Sequence, residues 1–295
     1  MVLLEVTMGF PAKLVRAESQ HVGEMGRICY EAFKELHDRH RLPLDVPSAT
    51  LARQLLGMMV SRSDFYSVVA LRDSQVIGSN FLSFPDAVAA IGPVTVEPGH
   101  QGQGIGLALM QDVVDHGRRR GIERIRLMQE TINAGSLSLY TSMGFDSREE
   151  VAYLQAAAAP AEDPSVRPVT DQDLSAVEKL SADIYQTSRR NEVAAAIRYG
   201  FSPLLRQRDG RVTGYLIPGL FGHGVAENEV DACALVGEMA RRLPPEGARF
   251  FCPVRETNFF RQVLKMGCRT IKVLTLMTLG PYEPPREVWM PSVLY

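Results

Sequence analysis

The chain has 295 residues, 45% of them hydrophobic, and 32 basic side chains stand against 34 acidic ones for a formal charge of −2. A balance this close to neutral creates no strong field toward nucleic acid or an anionic membrane, and the length predicts two domains, each able to bury its own core. There is no uninterrupted apolar run long enough to span a bilayer, and the start Met1-Val2-Leu3-Leu4-Glu5 has neither a basic leader region nor a cleavage signature, so the expected location is the cytoplasm.

Residues 14–17 read as a first strand leading into a helix over 20–40, where Met25, Ile28, Cys29, Ala32, Phe33 and Leu36 recur with helical periodicity. Pro43 and Pro47 interrupt the pattern. A second helix is expected over 50–60, and strands over 66–71 and 76–82 form a hairpin about Arg72-Asp73-Ser74-Gln75. Residues 90–96 are strand-like, 107–119 amphipathic and 125–128 strand-like again. Such mixed order implies a central sheet with helices on both faces.

Between the strand at 90–96 and the next helix lies Gln101-Gly102-Gln103-Gly104-Ile105-Gly106. Glycine lets this turn take positive φ without a Cβ clash, and the first N–H groups of the new helix lack intrahelical partners and carry the positive end of its dipole. Such a turn suits a pyrophosphate. A dinucleotide fingerprint begun at Gly102 would need glycine where Leu107 stands, and the Gly-Lys-Ser/Thr of a Walker turn is absent, which leaves Gln-x-x-Gly-x-Gly. A second segment runs from Thr131 to Phe145, in which Asn133 can cap a helix, Leu137 and Tyr140 share one face, and Gly144 ends it.

The turn resembles motif A of the GCN5-related N-acetyltransferases (GNATs), matched at Gln101, Gly104 and Gly106, and the second segment is similar to that family's Asn-(x)n-Tyr-x-x-x-Gly-Phe stretch. Taken singly, each also fits a tight connection or a core tyrosine; in this order they support the resemblance, which covers residues 15–154. It implies acetyl-coenzyme A (acetyl-CoA) as co-substrate and direct transfer to a primary amine of a small molecule or peptide. Backbone groups of Val94, Thr95 and Val96 would bond the pantetheine, and Gln101, Gly102, Gln103, Gly104, Ile105 and Gly106 the pyrophosphate. Tyr140 matches the tyrosine that faces the sulfur as general acid, and Asn133 the residue bonded to the pantetheine arm or to ordered water. Glu97 is the expected base, with Glu130 the alternative, provided burial raises the pKa. A non-catalytic acyl-CoA-binding or sensing module is the competing function.

No metal is expected. Cys29, Cys233, Cys252 and Cys268 lack ligand spacing, and His37 and His40 read as a solvated helix end. The expected partner is the amine acceptor, with neither nucleic acid nor membrane, and the chain a monomer or homodimer.

Residues 156–164, rich in alanine and proline, read as a linker. Beyond residue 164 the chain restarts the plan. Residues 166–174 echo the opening strand, cap and helix; Arg208-Asp209-Gly210-Arg211 is a hairpin turn; and Lys265-Met266-Gly267-Cys268 echoes Ser142-Met143-Gly144-Phe145. The expected fold is α/β with two tandem GNAT-like domains: residues 1–155 carrying the acetyl-CoA site, a degenerate copy over 165–280, and a tail over 281–295. In the copy the candidate turn is 219–225, while Val263 stands opposite Tyr140 and Glu256 opposite Asn133. A valine can neither donate a proton nor bond a sulfur. The tail carries the sole tryptophan, Trp289, and is expected to be ordered against one of the domains, at the acceptor site or over a sheet edge, or across a subunit interface.

Overall fold

The computed structural model describes residues 12–295, so the start Met1 to Glu5 lies outside the described residues. The first repeat runs β1 (Lys13–Arg16), α1 (Val22–His40), α2 (Ala49–Ser61), β2 (Phe65–Arg72), β3 (Gln75–Ser83), β4 (Ala89–Ile91), β5 (Thr95–Val96), α3 (Ile105–Arg119), β6 (Ile125–Glu130), α4 (Ala134–Ser142) and β7 (Asp146–Gln155). The second runs β8 (Val166–Pro168), α5 (Leu174–Tyr185), α6 (Arg190–Arg198), β9 (Leu204–Arg208), β10 (Arg211–Leu216), β11 (Gly224–Ala226), α7 (Glu229–Arg242), β12 (Arg249–Pro253), α8 (Thr257–Lys265) and β13 (Arg269–Leu279), and β14 (Val288–Met290) comes last. Among the described residues no helix is long and apolar enough to cross a membrane.

The chain forms two compact units, one from the described residues up to 82 with 93–119, the other from 83–92 with 120–295. In the first, β2 lies between β1 and β3, and β5 adds to β3 with Gly78 opposite Val96. The helix α3 packs on the β3 face that bears Gly78 and Asn80. A Cβ on Gly78 would stand 2.8 Å from the Thr95 carbonyl and 3.1 Å from Leu109, and the Asn80 amide donates to the Leu109 carbonyl at 3.2 Å. The segment expected as one strand over 90–96 is divided. Gly92 takes φ 138° and Pro93 has no N–H to offer a ladder, so β4 and β5 are separate pieces.

In the second unit, strands from the two repeats interleave in the order β4-β6-β13-β7-β12. β4 runs parallel to β6, with Ala90 opposite Arg126, while β13 is antiparallel to both its neighbours, Leu274 lying opposite Glu130 on one side and Val151 on the other. The last strand of each repeat therefore fills a place in the sheet of the other. One face buries Val151, Tyr153, Leu274 and Leu276 beneath Val177, Leu180 and Ile184 of α5; the other buries Ala152, Leu154 and Phe250 beneath Leu235, Val236 and Met239 of α7. Helices thus cover both faces, as expected. A separate sheet has the order β14-β11-β10-β9-β8.

Residues 156–164 have no strand of their own, yet they dock. The Ala159 amide donates to the Gly237 carbonyl at 3.1 Å and the Ala157 amide to the Cys268 sulfur at 3.4 Å. The tail is ordered too. β14 pairs antiparallel with β11, Trp289 opposite Val225, and it also lies against β12. It covers the edge of β11 that faces β12, and Trp289 is fully buried.

Candidate functional site

The glycine turn has the backbone its sequence requires. Gly102 and Gly104 take φ 73° and 83°, and a Cβ on either would meet nothing within 4 Å, so conformation and not space selects glycine there. The first helical bond of α3 is Ala108 N–H to the Gly104 carbonyl, 3.0 Å, so the amides of residues 102–107 precede the intrahelical ladder. The first turn of α3 contains no acidic residue. Gln101 sends its side-chain amide to the Val96 carbonyl at 3.1 Å, and Gln103 sends its own to the Gly99 carbonyl at 3.3 Å, bracing the turn. The Glu97 amide bonds the Ile77 carbonyl on β3, so by strand alternation the backbone groups of Val96 and Val94 turn away from β3. Thr95 is buried, its hydroxyl 3.2 Å from that of Ser79.

Glu97 is an ion-pair partner. Its carboxylate accepts from Arg27 at 2.8 Å and lies 2.9 Å from His100 Nδ1, and the Arg27 guanidinium holds it below the usual carboxylate range. A general base was expected to need the opposite shift. Nothing in the sequence marks the pairing, because Arg27 lies on α1, far from Glu97 along the chain.

In the other unit, Asn133 caps α4 by accepting from the Ser136 amide at 3.1 Å, and its own carbonyl accepts from the Gln129 amide at 2.8 Å. Tyr140 is buried on α4, its ring 6.2 Å from that of Phe145, and burial pushes its hydroxyl up to about 12. It is therefore protonated throughout the neutral range. Gly144 closes the helix with φ 89° and the Phe145 amide returns to the Tyr140 carbonyl. Glu130 ends β6 just before α4, and Lys272 donates to it at 2.6 Å.

The second repeat follows the order of the first, with β11 alone where the first has β4 and β5, and lacks the Gln-x-x-Gly-x-Gly turn. The stretch 219–225, expected to be that turn, instead joins β10 to β11. A Cβ on Gly222 would collide with the Ile217 carbonyl, so glycine there serves a tight backbone approach. Where residues 97–104 separate β5 from α3, just Glu227 and Asn228 separate β11 from α7. The start of α7 is already capped by the Asn228 side chain on the Asp231 amide, and Glu229 and Asp231 place negative charge in its first turn. Val263 is buried on α8 at the position Tyr140 takes on α4, and Glu256 precedes α8 as Asn133 precedes α4.

Residues 29–145 match the model of the Acetyltransferase (GNAT) family. Over the whole fold, the GCN5-related N-acetyltransferase of Sphaerobacter thermophilus superposes with a TM-score of 0.61, covering 93% of this chain and 98% of that one at 13% identity. Residues 29–145 carry the acetyltransferase (GNAT) family pattern, and the chain as a whole has the fold of solved GNAT structures. A tandem GNAT protein from the clavulanic acid biosynthesis pathway superposes with a TM-score of 0.55, covering 92% of this chain and all of its own length (100%), at 14% identity, so the two-repeat plan is itself a GNAT fold. Curated relatives match over shorter stretches. Mycothiol acetyltransferase of Beutenbergia cavernae is 39% identical over 74 residues, 25% of each chain. The [ribosomal protein bS18]-alanine N-acetyltransferase of Escherichia coli is 36% identical over 53 residues, 18% of this chain and 36% of that enzyme. The chain thus aligns with between a quarter and about a third of these relatives' length.

Proposed function

We propose that this chain is an N-acetyltransferase moving an acetyl group from acetyl-CoA to a primary amine of a small molecule or peptide. The reading rests on the turn from Gln101 to Gly106, whose positive-φ glycines at 102 and 104 open onto a helix start that carries no acidic residue. A diphosphate is the ligand such amides suit. Val94, Thr95 and Val96 take the pantetheine role by the family match. The acetyl-CoA domain is read as 1–155, with 156–164 as the connecting segment, 165–280 as the degenerate copy and 281–295 as its covering tail. The expected setting is the cytoplasm, with the chain a monomer or homodimer and no metal step.

In the proposed reaction the neutral amine attacks the thioester carbonyl carbon, the C–N bond forms, and the C–S bond breaks. As nitrogen bonds to carbon its N–H becomes a far stronger acid, so a carboxylate of ordinary basicity suffices to take the proton at that point. Glu130 is the carboxylate we assign to this step, since the Arg27 pairing of Glu97 opposes it. Tyr140 serves the leaving sulfur. A phenol at about 12 is a weaker acid than a thiol of about 8.5, so its hydroxyl acts chiefly as a hydrogen-bond donor that strengthens as negative charge grows on sulfur.

Titration calorimetry with acetyl-CoA and CoA tests the binding half. One site per chain is expected, because β14 lies between β11 and β12 and the second repeat has no anion turn. Tyr140→Phe tests the chemistry. Turnover with a responsive amine should fall by roughly 10²-fold with CoA affinity kept. Equal turnover in the variant would remove Tyr140 from the mechanism, and binding without transfer to any amine of a broad panel would favour the sensing module.

A further inference from the structure

The last strand of the second repeat brings a cation to the end of β6. Lys272, on β13, is 7% exposed and donates to the Glu130 carboxylate at 2.6 Å, with its ammonium 5.9 Å from the centre of the Tyr153 ring. The strand end is fixed beside it, since Thr131 donates its hydroxyl proton to the Val273 carbonyl at 3.0 Å. With Gly144 set against Gly267, Lys272 and Glu149 occupy equivalent places in the two repeats. Glu149 also reaches across, to Arg255 at 3.2 Å in the segment between β12 and α8, and there it accepts from the Tyr282 hydroxyl of the tail at 3.0 Å. Strand exchange thus delivers one charged side chain from each repeat to the other, Lys272 to the end of β6 and Glu149 to the segment after β12, with opposite signs, and the tail joins the copy that lacks the anion turn.

We propose that Lys272 is a positioning residue for the transfer reaction: it holds the Glu130 carboxylate in place and aimed, so that the second repeat completes the first repeat's proton-accepting group. The inference rests on the acetyltransferase reading given above. A charge-assisted bond to a nearly buried ammonium fixes the position of one carboxylate oxygen. A buried ion pair is weak evidence for stability, because desolvation of two charges offsets most of their attraction, whereas stripping one partner leaves a costly lone charge. A pair kept for orientation and a pair kept for stability therefore respond differently to exchange.

The test uses the full chain with an amine found to be turned over by the wild type. The exchange Glu130→Lys with Lys272→Glu preserves a pair but moves the carboxylate to β13. Expected are an unfolding midpoint and a CoA affinity near wild type, with kcat lower by roughly 10²-fold. Lys272→Gln keeps a donor without the charge and should lower kcat about 10-fold with less change in KM, while Lys272→Arg should recover most of the loss. A folded exchange variant with kcat within about threefold of wild type would overturn the proposal. If the exchange variant does not fold, Lys272→Gln decides alone: full kcat refutes positioning, and a loss recovered by arginine supports it. Failure of the wild type to bind CoA or to turn over any amine would strike the acetyltransferase reading instead, and is read in a separate calorimetric experiment.

Discussion

Trp289 is the chain's one tryptophan and is fully buried, so replacing it with alanine perturbs a single defined place. Its ring meets Tyr185 edge-on at a centroid distance of 5.9 Å, and its strand is held by β11 and by the Tyr185 hydroxyl donating to the Met290 carbonyl at 2.9 Å. Truncating a buried aromatic to alanine costs about 3–5 kcal/mol, the spread reflecting how far neighbours close the void. For a cooperative unit of this size each kcal/mol lowers the midpoint by about 2–4 °C, so Trp289→Ala should unfold roughly 6–20 °C below wild type by scanning calorimetry. Val230→Ala, at a side chain 65% exposed, is the control and should shift the midpoint very little. Well below the transition, acceptor KM in Trp289→Ala should equal that of wild type, since β14 closes the second repeat's sheet. A midpoint lowered by less than about 2 °C would refute the assignment of β14 as an integral strand, and a raised KM at unchanged stability would return the tail to the acceptor site.

The glycine turn and Glu97 supply two further expected outcomes. Gly104→Ala forces a Cβ into φ 83°, a strain of about 1–2 kcal/mol that should weaken CoA binding roughly 5- to 30-fold, while Gly99→Ala, where a Cβ meets nothing within 4 Å, should leave it unchanged; equal calorimetric constants for the two would detach the turn from the ligand. Glu97→Gln should leave the pH dependence of kcat in place, because the Arg27 pair keeps this carboxylate ionised across the neutral range; loss of the acidic limb in that variant would restore Glu97 as base. The same depressed pKa fixes the sign of a stability effect. The pair's contribution is complete above the ordinary carboxylate value of 4.5 and is lost as pH falls below it, so acid unfolding of Glu97→Gln should be less steep than that of wild type.

The features legible in the sequence were those settled within a few residues. The positive-φ glycines at 102, 104 and 144, the Asn133 cap and the hairpin turn at Asp73 and Ser74 all stand where the sequence indicates them. Each depends on local sterics and on hydrogen bonds to near neighbours, and these act on the chain whatever surrounds it. Where local pattern misleads, a backbone contact intervenes. Gly222 lies against Ile217 in the link to β11, a role that a glycine-rich stretch advertises no differently from an anion turn.

Composition, helical period and the two motifs therefore determined that this chain is a doubled α/β protein with one intact Gln-x-x-Gly-x-Gly turn. Tertiary structure alone decided that Arg27 occupies Glu97, that Lys272 reaches Glu130, and that β13 and β14 enter the sheets they do. Alternation of apolar and polar side chains along a strand is the same whichever strand lies beside it, so pairing between distant segments is chosen by the packing of the whole core. The charge state of a carboxylate depends on that choice, because the cation that sets it comes from a remote part of the chain.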